Sequence, residues 1–390
     1  MTIVVTGGGS GGHITPILAV AEELKQLQPG INIVYVGQKG DSLADVPARD
    51  PNINKVYGVS AGKFRRYHGE GLKQLLDIKT LLLNFRDVFR VLAGIFQSWR
   101  LLRRIRPDII FIKGGFVGVP VGLAARWLHI PFVTHDSDAI PGLANRIIGR
   151  WAQKHAVALP AEVYNYDPSK TVTVGVPVTT DYQFVTPELK AQYRQELDVP
   201  TTAQMLFIIG GGLGAQRVNE AVAQAMPGLM AQFPDLRVVH GVGRANEAAM
   251  LSRYQGLLEA AELGRLTVVG FLHDVYRYSG AADVVITRAG ATNIAEFAVQ
   301  GKACIVIPNP FLTAGHQLKN AAYLEEQQAT EQISETELES HPETLAEHVS
   351  ALLADPAHQV ALGAKFRSFG HPGAAKELAQ LLLNEAPVKA

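Results

Sequence analysis

The sequence predicts two α/β domains, each built on a parallel sheet with helices on both sides. Three observations predict it. The 390 residues are more than one ordinary domain needs. Short apolar runs alternate with longer helical stretches from end to end, which is the signature of strand–helix–strand units. A strand leading into a Gly-rich turn occurs at residues 3–12 and again at 205–214, so the pattern restarts.

The expected strands are residues 3–6, 33–36, 109–112, 132–134, 171–174, 205–209, 237–240, 267–269, 284–287 and 304–307. Most are apolar throughout rather than alternating, which suits parallel strands covered on both faces. Segments such as 17–28 and 292–300 have the length and composition of helices. Residues 175–200 carry Pro177, Pro187 and Pro200 in a polar mix and read as a linker. The expected domains are residues 1–180 and 181–370, with a C-terminal helix at about 373–386 packing back on the first. Ligands in such sheets bind beyond the carboxyl ends of the strands, so a cleft is expected there.

Composition narrows the function. The hydrophobic fraction of 47% and charged fraction of 18% supply two cores and exclude global disorder. Lys+Arg and Asp+Glu number 36 each, and a net charge of zero argues against nucleic acid as a partner. The single Cys304, inside an apolar run, is expected in a buried strand; it leaves no intrachain disulfide and fits a reducing compartment. The N-terminus enters a strand at once with no secretory pattern, and no run is apolar enough to span a bilayer. A soluble or peripheral protein is expected.

Gly7, Gly9 and Gly12, and later Gly210, Gly212 and Ala215, have the spacing of a dinucleotide fingerprint. A nicotinamide site also needs an acid at the end of the next strand for the ribose diol. Those strands end in Val36-Gly37-Gln38 and Val239-His240-Gly241, so neither supplies it. The glycines still allow close backbone approach, and the helix start after them favours an anion. A bare tight turn remains the alternative. His13, directly after the first turn, fits a general base of near-neutral pKa or a helix-start histidine bonded to local backbone.

Residues 284–296 form a strand, a small-residue turn and a helix start near Ala291. Free N–H groups and the helix dipole there suit a diphosphate. Glu296, about one turn on, fits a ribose-binding carboxylate or an ordinary acid compensating the dipole. Residues 72–106 carry Lys73, Lys79, Arg86, Arg90, Arg100, Arg103, Arg104 and Arg106 against Asp77 and Asp87. Their apolar stripe (Phe85, Phe89, Leu92, Phe96, Trp99, Leu102) is expected to pack as a core helix over 92–102. The excess charge, with Lys63, Arg65 and Arg66 upstream, suits anionic lipid.

Five blocks, taken in order, carry a resemblance: residues 7–16 (GGGSGGHITP), 114–120 (GGFVGVP), 135–146 (HDSDAIPGLANR), 210–219 (GGGLGAQRVN) and 288–321. Together they resemble glycosyltransferase family 28, in particular the N-acetylglucosaminyltransferases that complete the disaccharide lipid precursor of peptidoglycan. The resemblance implies a GT-B architecture with UDP-N-acetylglucosamine on the C-terminal half. The acceptor, a polyprenyl-diphosphate-linked muramoyl-peptide, would lie on the N-terminal half, at the cytoplasmic face of the plasma membrane. It implies inverting transfer without metal or cofactor. His13 would be the base. Gly290, Ala291 and Thr292 would hold the donor diphosphate, Glu296 the ribose, Leu272 the uracil, and Gln317, beside His316, the sugar hydroxyls; Gly212 would also lie on the donor side. Ser10, Gly11, Gly12, Gly115, Asp138 and Thr179 would line the acceptor side or cleft.

A UDP-N-acetylglucosamine 2-epimerase, or a transferase with another acceptor, shares fold and donor. The chain departs from the family at Asp138 (usually Asn), Val176 and Thr179 (Asn and Arg), and Gly212 (Ser). On this reading, Asp138→Asn with Thr179→Arg is expected to preserve or raise activity.

Overall fold

The computed structural model describes residues 1–9, 11–62, 78–138, 140–211, 214–312 and 315–387. The chain divides into two compact units. One comprises Met1–Thr180, Phe311–His316 and His371–Ala390; the other comprises Asp181–Pro310 and Gln317–Gly370.

In the first unit, strands β1 (Thr2–Thr6), β2 (Asn32–Gln38), β3 (Lys55–Val59), β4 (Ile109–Ile112), β5 (Phe132–Asp136), β6 (Lys154–Val157) and β7 (Thr171–Thr173) form one sheet. Its order is β3-β2-β1-β4-β5-β6-β7, with every pairing parallel. The apolar runs explain the layers. Ile3, Val5, Phe111 and Val133 turn to one face and pack under the helix Gly11–Leu27 through Ile17, Val20 and Leu24. The C-terminal helix Ala374–Glu385 completes that layer with Leu378 and Leu382. Val4, Val34, Ile110 and Ile112 turn to the other face, against Val121, Ala124 and Ala125 of the helix Gly118–Trp127. Each buried aliphatic side chain contributes about 1.5–3 kcal/mol.

The second unit repeats the plan with β8 (Met205–Ile209), β9 (Arg237–Gly241), β10 (Leu266–Val269), β11 (Val284–Thr287), β12 (Ala303–Val306) and β13 (Glu331–Gln332), in the order β10-β9-β8-β11-β12-β13. All of its pairings are parallel as well. Cys304 is buried in β12. In each sheet the order reverses beside the first strand, at β1/β4 and at β8/β11. Sheets of this kind bind ligands beyond the carboxyl ends of their strands, at such reversal points.

Strands β3, β6 and β13 were not expected from the sequence. Each carries polar residues: Lys55 and Tyr57, Lys154 and His155, Glu331 and Gln332. β3 and β13 lie at sheet edges, and the buried His155 is satisfied by the Thr134 hydroxyl at 2.8 Å.

The expected core packing of residues 92–102 holds only in part: Leu102 is buried and Trp99 packs beside it, whereas Leu92 and Phe96 do not join the core. In the helix Ile78–Ile105 the inward side is Asp87, Gly94, Ser98 and Leu102, all buried. Leu82, Phe85, Phe89, Leu92 and Phe96 are 56–65% exposed. Gly94 explains the inversion: a Cβ there would overlap the Ser60 carbonyl oxygen, so the small-residue side approaches the domain. The large apolar side faces out.

Candidate active site

In the first unit, the turn after β1 and the turn after β4 meet at the switch point. Gly8 (φ 154°), Gly9 (φ 82°), Gly114 (φ 113°) and Gly115 (φ 75°) adopt positive φ. Gly9 and Gly115 are the decisive positions. A Cβ on Gly9 would lie 2.6 Å from the Phe116 ring, and one on Gly115 would lie 2.9 Å from the Gly8 carbonyl oxygen. The first turn is fixed by the Tyr35 hydroxyl, which donates to the Gly7 carbonyl (2.7 Å), and by Asp41, which accepts from the Gly9 N–H (2.9 Å). An acid after β2 is therefore present. It binds the protein's own backbone.

Gly11, Gly12 and His13 begin the helix, and the His13 ring rests against Gly114 and Gly115. Burial, with the Lys113 and His316 charges, pushes its pKa down to about 4 against the opposing pull of Asp138. His13 is thus neutral at pH 7, as a base must be. Asp138 Oδ1 lies 3.3 Å from His316 Nδ1, and that carboxylate outweighs burial to raise the His316 pKa. Nearby, His135 Nε2 bonds the Gly175 carbonyl (2.9 Å), and Asn145 donates to the His135 carbonyl (2.9 Å). Asp136 accepts from Gly142 N–H (2.9 Å) and the Tyr166 hydroxyl (2.8 Å).

Of the residues predicted for this side, the structure brings Gly115, Asp138 and His13 together, with Gly11 and Gly12 at the start of the same helix. Thr179 lies half-buried after β7, beside Thr180, whose hydroxyl bonds Glu22. Ser10 is outside the described residues.

The second unit has its own arrangement. Gly290 caps the helix Ala291–Gln300 in extended conformation, with no side-chain cap. Arg288, the basic residue of this turn, points inward: it pairs with Glu335 at 2.5 Å and donates to the Ile307 carbonyl at 3.1 Å. The helix start therefore rests on backbone N–H groups and the helix dipole to attract an anion. Gln317 is buried; its Oε1 accepts from Asn309 N–H (2.9 Å), and its Nε2 comes within 3.8 Å of a Cβ position on Gly290. Ala291 and Thr292 open the helix, and Leu272 packs in the same apolar cluster as Ala289, Ile294 and Phe297. Gly212 is outside the described residues.

Glu296, in the second turn of this helix, is 7% exposed. Burial raises its pKa to about 8, and a hydrogen bond from the Tyr182 hydroxyl resists that rise. A buried carboxylate with one hydroxyl donor has acceptor capacity to spare, and a vicinal diol offers two donors. Sequence reasoning missed Tyr182, Asp41 and Lys113. Only Lys113 left a signal, as a lysine directly after the all-apolar β4.

Residues 3–157 match the glycosyltransferase family 28 N-terminal domain, and residues 205–378 match its C-terminal domain. The chain is 30% identical to UDP-N-acetylglucosamine–N-acetylmuramyl-(pentapeptide) pyrophosphoryl-undecaprenol N-acetylglucosamine transferase of Natranaerobius thermophilus, covering 98% of this chain and 99% of that one. The enzyme of the same name from Desulforudis audaxviator is 32% identical, with 98% of both chains covered. Among solved structures, Acinetobacter baumannii MurG has a similar fold, with a TM-score of 0.66 at 24% identity over 98% of this chain and 99% of that one. The UDP-GlcNAc 2-epimerase of Neisseria meningitidis shares the fold at TM-score 0.64 and 14% identity, covering 99% and 100%.

Two parallel, doubly wound domains with glycine-rich turns at their switch points make up the GT-B architecture. The chain belongs to glycosyltransferase family 28 and is a hexosyltransferase.

Proposed function

We propose that the protein transfers N-acetylglucosamine from UDP-N-acetylglucosamine to a hydroxyl of a polyprenyl-diphosphate-linked muramoyl-pentapeptide, inverting the anomeric carbon. The observation that carries this reading is likeness at 30–32% identity, over nearly the whole chain, to enzymes of that name. The chemistry of both sites supports it. His13 takes the proton of the acceptor hydroxyl while that oxygen bonds to the anomeric carbon. The bond to UDP breaks, and its electron pair leaves on the diphosphate. Backbone N–H groups of Gly290, Ala291 and Thr292 stabilise that departing charge. Glu296 accepts the ribose hydroxyls, Leu272 borders uracil through its backbone, and Gln317 reads the sugar. Residues 1–180 carry the acceptor, with Gly11, Gly12, Gly115 and Asp138 on that side, and residues 181–370 carry the donor.

Acceptor dependence tests the reading. UDP release from UDP-N-acetylglucosamine should require the muramoyl-peptide lipid. Conversion of the donor to its 2-epimer without acceptor would select the epimerase alternative.

A lipid-linked acceptor requires the enzyme at a membrane surface, as a peripheral protein on the cytoplasmic face. Among the described residues, no helix is long and apolar enough to cross a bilayer. The outward stripe Leu82, Phe85, Phe89, Leu92 and Phe96 repeats at helical spacing, with Arg86 and Arg90 beside it. That combination suits insertion among anionic headgroups. Lys63, Arg65 and Arg66 lie outside the described residues. Phe85→Ser with Phe89→Ser is expected to weaken binding to vesicles containing anionic lipid by about a hundredfold or more, since each buried Phe is worth about 1.5–3 kcal/mol. Sedimentation with vesicles measures it. Equal binding of the variant and the parent puts the contact elsewhere.

A further inference from the structure

Lys113 stands directly after the buried strand β4 and is itself 4% exposed. A buried ammonium is costly unless its surroundings compensate it. It sits at the β1/β4 switch point, and the next two residues, Gly114 and Gly115, pack against the His13 ring: Cβ atoms built on them would lie 3.9 and 3.6 Å from it. Asp138, two residues beyond β5, meets His316 at 3.3 Å. Three loops thus bring an ammonium, a carboxylate and a second imidazole to the one histidine that the proposed transfer uses.

We propose that Lys113 and Asp138 are an opposed charge pair that fixes when His13 carries a proton, which makes Lys113 a positioning residue of the acceptor side. This rests on reading His13 as the base. Lys113 disfavours a proton on His13 while the enzyme waits for acceptor. Asp138 stabilises the imidazolium once the acceptor hydroxyl has given up its proton. Among the described residues, the charged groups that act on His13 are Lys113 after β4, Asp138 after β5 and His316 at the start of the helix His316–Glu326. His135 and Asp136 face Lys113 in turn. The electrostatics agree in sign. Lys113 and His316 lower the His13 pKa and Asp138 raises it; Asp138 and Asp136 hold up the Lys113 pKa, which burial pulls down to about 8. On this account Asp138 is no neutral departure from the family's Asn. The expectation that Asp138→Asn with Thr179→Arg preserves or raises activity reverses at Asp138, because the neutral amide lacks the carboxylate's charge opposite the imidazolium.

The test follows the His13 ring by NMR across pH in Lys113→Met, Asp138→Asn and the double variant, with the signal assigned through His13→Gln. Lys113→Met should raise the His13 midpoint by about one pH unit, and Asp138→Asn should lower it, as expected for loss of one neighbouring charge. The double variant should fall between them. The acid limb of kcat/KM for sugar transfer should move with the ring. A midpoint unmoved in Lys113→Met, or moved the same way by both single variants, overturns the pair. A ring that shifts without the acid limb following also overturns it. Asp138 is partly exposed, so Asp138→Asn keeps the test decisive if Lys113→Met folds poorly. If the parent transfers no sugar, the functional reading fails instead, and the ring titration still decides on the pair.

Discussion

His13→Ala is expected to lower kcat by about 10²–10⁴ while leaving UDP affinity near the parent's. The residue starts a helix behind a turn that only glycines permit, and Gly114 and Gly115 flank its ring. Its ring is neutral above a pKa of about 4, lowered first by burial and then by Lys113. The sign follows. At saturating UDP-N-acetylglucosamine, kcat/KM for the acceptor should hold as pH falls through 6.5, where an ordinary histidine would protonate, and should fail only near 4. UDP affinity is spared because the proposed nucleotide contacts belong to the other unit. Steady-state kinetics with a separate UDP titration measure both. Normal turnover in the variant would make His13 a structural residue of its turn.

Above about pH 8, Glu296→Ala is expected to weaken UDP binding about 10–150-fold, the loss of charge-assisted hydrogen bonds worth roughly 1.5–3 kcal/mol. The pH dependence is more diagnostic. Burial raises the empty-site pKa to about 8, so the carboxyl is largely protonated at pH 7. A diol donating both hydroxyls needs the ionised form, so UDP affinity should rise as pH passes up through about 8. That rise should vanish in Glu296→Ala. Stability responds with the opposite sign. A carboxyl whose folded pKa lies above its unfolded value contributes stability below pH 4.5 that is lost as pH rises towards 8. Calorimetric titration of UDP at several pH values tests this. Unchanged affinity in a folded variant would remove Glu296 from the ribose.

Much of the fold was legible because parallel strands covered on both faces must be apolar throughout. β1, β4, β8, β11 and β12 announce themselves this way. β3, β6 and β13 did not, since their polar residues are tolerated by edge positions or by a remote partner such as Thr134 for His155. The helix Ile78–Ile105 misled in another way: periodicity gives the apolar stripe but not which side meets the domain, and Gly94 settled that through backbone approach. The glycine turns were readable because positive φ restricts them to glycine. The charges around them were not. Lys113 acts on His13 and Tyr182 on Glu296 across about 100 residues of chain, and no local spacing encodes such a meeting.

The most direct test of the central claim follows labelled N-acetylglucosamine from UDP-N-acetylglucosamine into product in the presence of the muramoyl-peptide lipid. The expected product is a lipid-extractable, β-linked disaccharide, one label per UDP released, with no transfer by His13→Ala above about a hundredth of the parent's rate. Saturable UDP binding with no labelled lipid would contradict the claim.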